Sequence, residues 1–70
     1  MDPYERLANA IILQAVRDWK HAARRLRRHP ECLDARQWKE ETERFFCSDW
    51  FSMLTKLDGE MLLSRLKKEA

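Results

Sequence analysis

The 70-residue sequence has one glycine and two prolines, and it lacks the alternating runs of β-branched and polar residues that predict strands. It also lacks a glycine-rich phosphate loop, a G-x-S-x-G turn and an H-E-x-x-H pair. A single glycine leaves little means of bringing backbone amides onto a ligand. These absences predict an all-α protein in one domain, 1–70, and give no support to an enzyme.

No apolar run approaches the roughly 20 residues that a membrane-spanning helix needs. The longest such run, 10–15, is interrupted by Gln14, and the first ten residues carry charges where a signal peptide would be apolar. The only cysteines, Cys32 and Cys47, form no C-x-x-C pair, which fits a reducing compartment. We therefore expect a soluble cytoplasmic protein with no membrane contact.

A metal site has weak support in the sequence. The candidate zinc ligands are His21, His29, Cys32 and Cys47, but only His29 and Cys32 are close, and no second pair has finger-like spacing. The Asp-Gly-Glu segment at 58–60 lacks the preceding carboxylates of a calcium loop, so a helix cap explains it better. We expect neither a metal nor a cofactor.

Capping residues predict one long N-terminal helix followed by two to three shorter ones. Asp2 before Pro3 starts the first helix, and His29-Pro30 ends it at about Arg28. The later starts are Pro30 or alternatively Asp34 for a helix to about Phe46, Ser48 for a short helix over 49–55, and Asp58 for a last helix.

The long helix carries an apolar seam with alternating spacings of four and three residues. Its members are Ala8, Ile12, Ala15, Trp19, Ala22 and Leu26. Over 7–16 the helix is apolar almost all round, and its ~39 Å length exceeds the ~28 Å width expected for a globule of this size. We therefore predict a bundle completed by a homodimer or larger homo-oligomer. The predicted interface residues are Leu7, Ala10, Ile11 and Leu13.

Aromatic residues are concentrated in the middle of the chain. Phe45, Phe46 and Phe51 are predicted to form the main core, since aromatics at helical spacing usually pack together. The same core is predicted to include the apolar residues that follow in the chain: Met53, Leu54, Leu57, Met61, Leu62 and Leu66. Trp38 and Trp50 stand beside charged residues and are candidates for stacking on a nucleic-acid base.

A basic stripe lies opposite the apolar seam. It consists of Arg17, Lys20, His21, Arg24, Arg27 and Arg28. In one interpretation the stripe pairs with Glu40, Glu41 and Glu43 and complements the helix dipole. In the other it binds phosphate, because arginine forms bidentate bonds to phosphate and stacks on flat rings where lysine does not.

Two segments, 9–26 and 44–66, resemble small helical proteins encoded in prophages of Firmicutes. The most specific match is F-F-x-S-D-W-F followed by L-T-x-x-D-G-E, at Phe45, Phe46, Ser48, Asp49, Trp50, Phe51, Leu54, Thr55, Asp58, Gly59 and Glu60. This pattern carries no known chemistry, and structural roles are one explanation for all of its residues.

By class, the chain resembles phage anti-defence proteins of the Sequestin-like families, which sequester nucleotide immune signals. The resemblance implies a non-enzymatic protein whose arginines hold the phosphates of a cyclic nucleotide or an ADP-ribose derivative, while a tryptophan stacks on the base. Two alternatives remain open: a nucleic-acid binder, against which the net charge of only +2 counts, and an inhibitor that docks residues 7–16 onto a host protein.

Overall fold

The computed structural model describes residues 3–69, which form four helices: α1 (Pro3–Arg28), α2 (Leu33–Phe46), α3 (Asp49–Leu54) and α4 (Gly59–Glu69). No strand occurs in this part of the chain, so the predicted all-α class with a long first helix is confirmed. The molecule measures 41 × 20 × 19 Å. A helix of the 26 residues in α1 is about 39 Å long, so α1 runs the whole length of the molecule.

The predicted seam of α1 is its buried face. Ala8, Ile12, Ala15, Trp19 and Ala22 are all buried, and Leu26 is half-buried. The chain turns after Arg28 and α2 folds back along α1, because Trp38 contacts His21 while Glu43, further along α2, contacts Trp19. Small residues on the seam let the two helices approach closely, with Ala35 of α2 also buried.

The phenylalanines form the predicted core at the end of α2 and in α3. Phe46 and Phe51 are each 1% exposed, and their rings meet at 72° with centroids 5.8 Å apart. Leu63 and Leu66 of α4 close the cluster, and Phe45, Leu54 and Leu62 pack half-buried against it. Edge-to-face contacts of this kind add to the stabilisation that burial provides.

The predicted core is wrong for Met53, Leu57 and Met61. They are 77%, 61% and 64% exposed. The short helices α3 and α4 each bury only one face, and Leu57 lies between them.

The start of α2 differs from both predicted starts. Cys32 takes the N-cap position without a side-chain cap bond, and the Cys32 amide donates to the His29 carbonyl at 3.0 Å. That bond closes a turn through Pro30, so the helix begins only at Leu33. Asp34 lies inside the first turn, where its charge meets the positive end of the helix dipole.

The other predicted caps hold where the structure describes them. The Ser48 hydroxyl accepts a bond from the Phe51 amide at 3.3 Å, and the Asp58 carboxylate accepts one from the Glu60 amide at 3.0 Å. α1 ends at Arg28, as predicted. The proposed cap Asp2 lies outside the described residues.

Gly59 stands where the start of α4 passes close to the end of α2. A Cβ added there overlaps the carbonyl group of Phe46, which is backbone and cannot swing aside. We expect Gly59→Ala to lower the free energy of unfolding by about 1–3 kcal/mol, the cost of an overpacked site, as measured by urea denaturation. Ser64→Ala, on the exposed face of α4, is the control, and equal stability of the two variants would contradict this packing.

Candidate anion-binding site

The basic stripe leads into a surface groove at the C-terminal end of α1, which we call the terminal groove. It has a volume of about 680 Å³ and is lined by His21, Arg24, Arg25, Arg27, Arg28, His29 and Trp38. Every one of these residues is exposed. The groove therefore presents five cationic or titratable side chains of α1 around one tryptophan of α2.

Helical spacing and the return of α2 together build the terminal groove. His21, Arg24, Arg25 and Arg28 recur at three- and four-residue intervals and so share one side of α1. Because α2 runs back along α1, Trp38 lies beside His21, with ring centroids 6.3 Å apart and planes inclined by 16°. Trp38 remains 38% exposed, so part of its ring is open to a ligand.

The arginines of the terminal groove are not paired with the glutamates of α2. Within residues 3–69 the one ion pair closer than 4.0 Å joins Lys39 Nζ to Glu43 Oε2, at 3.6 Å. The same Glu43 oxygen accepts the indole N–H of Trp19 at 2.9 Å, and Glu41 accepts a bond from Gln37. The interpretation in which the stripe pairs with these carboxylates is therefore not realised in the described residues.

Acidic residues border the terminal groove on its α2 side. Asp34 and Glu41 line an adjoining depression together with Arg25 and Trp38. Part of the positive potential at Arg25 is offset by these two carboxylates. Arg28 does not line that depression, so these carboxylates offset its charge less than that of Arg25.

The predicted ligand residues do not all lie in one groove of the structure. The structure brings His21, Arg24, Arg27, Arg28 and Trp38 into the terminal groove. Arg17 lines none of the grooves described here, and Lys20 lines a groove on the α4 side of α1. Trp50 is 63% exposed and borders a different, largely apolar groove with Ile11 and Phe45.

Two lysines that the sequence analysis did not select lie close to the stripe. Lys39 of α2 and Lys67 of α4 line a groove with Arg27, over the buried Trp19. No local sequence signal marks them, because only the packing of α4 beside α1 brings Lys67 to that position.

The predicted interface residues are unequally covered by their own chain. Leu7 is 61% exposed and Leu13 is 56% exposed, and Ala10 is exposed as well. Ile11 is half-buried at the edge of the apolar groove that Trp50 borders. The N-terminal half of α1 thus carries exposed apolar side chains on more than one side.

Neither a metal centre nor a membrane span is found in the part of the chain that the structure describes. No three histidine, cysteine, aspartate or glutamate side chains there are grouped to hold a metal ion. No helix within 3–69 combines the length and the apolar composition needed to cross a membrane.

No protein-family model, curated protein or solved structure matches the chain. The function is therefore inferred from the chemistry of these grooves.

Proposed function

We propose that the protein is a non-enzymatic, cytoplasmic phage anti-defence protein that binds and sequesters a phosphorylated nucleotide in the terminal groove. The ligand class is that of nucleotide immune signals, either a cyclic nucleotide or an ADP-ribose derivative. The observation that carries the proposal is the placement of Trp38 beside arginines that form no ion pair with a carboxylate of residues 3–69.

The side chains of the terminal groove supply the two kinds of contact that a nucleotide requires. Arg24 and Arg28 can each donate paired N–H groups to phosphate oxygens, bonds that are stronger than neutral hydrogen bonds. The exposed part of the Trp38 ring can stack on a base, an interaction worth about 1–3 kcal/mol. The His21 ring is nearly parallel to the Trp38 ring, with centroids 6.3 Å apart, and can add a second flat surface beside the base.

A second copy of the chain is part of the proposal. Every residue that lines the terminal groove is exposed, so one protomer alone leaves a bound nucleotide open to water. A two-fold dimer that covers Leu7, Ala10, Ile11 and Leu13 duplicates the basic surface within one assembly. We expect the mass in solution at tens of micromolar to be that of a dimer or larger assembly, and the mass of one chain would contradict this.

A thermal-shift screen tests the proposed ligand class. We expect at least one cyclic nucleotide or ADP-ribose derivative to raise the melting temperature, because a ligand at 100 times its Kd stabilises the folded state by about 2.7 kcal/mol. The corresponding nucleosides, which lack phosphate, are the matched controls. The recovered ligand should be chemically unchanged after incubation. No shift with any nucleotide at millimolar concentration would contradict the proposal.

Nucleic acid is the second candidate ligand. The basic surface continues from Arg24 and Arg27 of the terminal groove to Lys20 in an adjoining groove, which offers contacts to more than one phosphate. When a single strand of nucleic acid binds through Z phosphates, the logarithm of the binding constant falls with the logarithm of the salt concentration, with a slope of about −0.7Z. A steep slope with short DNA, together with no preference among nucleotides, would favour this candidate over sequestration.

A further inference from the structure

A second groove lies between three helices, over the buried Trp19. This three-helix groove has a volume of about 290 Å³ and is lined by Trp19, Ala23, Leu26, Arg27, Lys39 and Lys67. One cation comes from each helix: Arg27 from α1, Lys39 from α2 and Lys67 from α4. Arg27 belongs to the basic stripe of α1, whereas Lys39 and Lys67 reach it only through the packing of α2 and α4.

Contacts with buried groups fix the position of Lys39. Its ammonium group lies 5.6 Å from the centroid of the Trp19 ring and 3.6 Å from the Glu43 carboxylate. Glu43 in turn accepts the indole N–H of Trp19, whose side chain is fully buried. Because this arrangement restrains the lysine, an anion that binds there loses less affinity to side-chain ordering.

The three-helix groove keeps an excess of positive charge. Glu43 neutralises Lys39, and Glu69 borders the adjoining groove beside Arg27. Neither Arg27 nor Lys67, however, lies within 4.0 Å of a carboxylate in residues 3–69. Ala23 and Leu26 supply a half-buried apolar floor, which excludes water from one side of the charges and strengthens their attraction for an anion. An anion with two charges would relieve the repulsion between the unpaired cations.

We propose that the three-helix groove is a second anion site that takes a diphosphate group, either free pyrophosphate or the diphosphate of a nucleotide. Its volume is at the lower limit of ligand pockets, about 300 Å³, which fits a small anion. Trp19 is only 2% exposed and offers no free ring face, so no base is stacked there. The site shares Arg27 with the terminal groove but uses neither Trp38 nor Arg28, so substitutions at Arg28 and Lys67 tell the two sites apart.

Titration calorimetry with pyrophosphate at constant ionic strength tests the site on the intact protein. We expect Lys67→Gln to weaken binding about tenfold or more, since a hydrogen bond between charged groups contributes about 1.5–3 kcal/mol. Lys68→Gln is the matched control, because Lys68 is the next residue of α4, is exposed and does not line the groove. Lys67→Arg, which keeps the charge, should restore binding.

The variant Arg28→Gln distinguishes this site from the terminal groove. It alters the terminal groove only and should leave pyrophosphate binding unchanged. ADP distinguishes the two sources of the diphosphate: if it binds and depends on Lys67 but not on Arg28, the diphosphate belongs to a nucleotide. Binding of pyrophosphate without ADP indicates the free anion. Three results would each overturn the proposal. They are no binding at a pyrophosphate concentration on the order of 10 mM, an equal loss of affinity in Lys67→Gln and Lys68→Gln, and a loss of affinity in Arg28→Gln.

Discussion

Replacing Trp19 with alanine is expected to remove most of the stability of the fold. Trp19 is a fully buried side chain at the contact between α1 and α2, and truncating such a residue costs about 3–5 kcal/mol. A domain of 70 residues has a free energy of unfolding of only about 3.5–10 kcal/mol in total. The substitution also deprives Glu43 of its indole donor and Lys39 of the ring beneath it.

Urea denaturation followed by circular dichroism measures this loss, with Trp50→Ala as the matched control. Both variants remove an indole, but Trp50 is 63% exposed, and surface substitutions usually change stability by no more than about 0.5 kcal/mol. Both proteins must be compared at one chain concentration, since any self-association stabilises the folded state. Similar losses in the two variants would contradict the burial difference between the tryptophans.

The local features of the fold could be predicted from the sequence because each depends on neighbouring residues. The spacing of the seam identified the buried face of α1, and Ser48 and Asp58 marked the starts of α3 and α4. The start of α2 could not be predicted in this way. That start depends on whether the His29 carbonyl accepts a bond from the Cys32 amide. The positions of capping residues in the sequence do not predict that hydrogen bond.

The candidate sites were only partly predictable because they combine residues distant in sequence. Trp38 and Trp50 each stand beside a charged residue in the sequence. The return of α2 brings Trp38 to the basic end of α1, whereas Trp50 borders only the apolar groove, which Trp38 also lines on its other side. Lys67 is separated from Arg27 by most of the chain and meets it only through the packing of α4. Helical periodicity along α1 does not predict the position of Trp38 or of Lys67 beside it.

Replacing Arg24 and Arg28 together with glutamine is expected to weaken binding of the nucleotide by at least about 100-fold. Each arginine is proposed to form a charge-assisted bond to phosphate worth about 1.5–3 kcal/mol, and 1.4 kcal/mol corresponds to a factor of ten. Arg44→Gln with Arg65→Gln is the matched control. It removes the same net charge, and Arg44 occupies the last turn of α2 as Arg28 does that of α1.

The stability of the same two double variants separates a binding role from a structural one. Arg24 and Arg28 have no carboxylate within 4.0 Å in residues 3–69, so their loss removes only dipole interactions of about 0.3–1 kcal/mol each. We therefore expect both double variants to unfold at similar urea concentrations while their nucleotide affinities differ. If the Arg24 and Arg28 variant is the less stable protein and its affinity is retained, these arginines support the fold and do not hold phosphate.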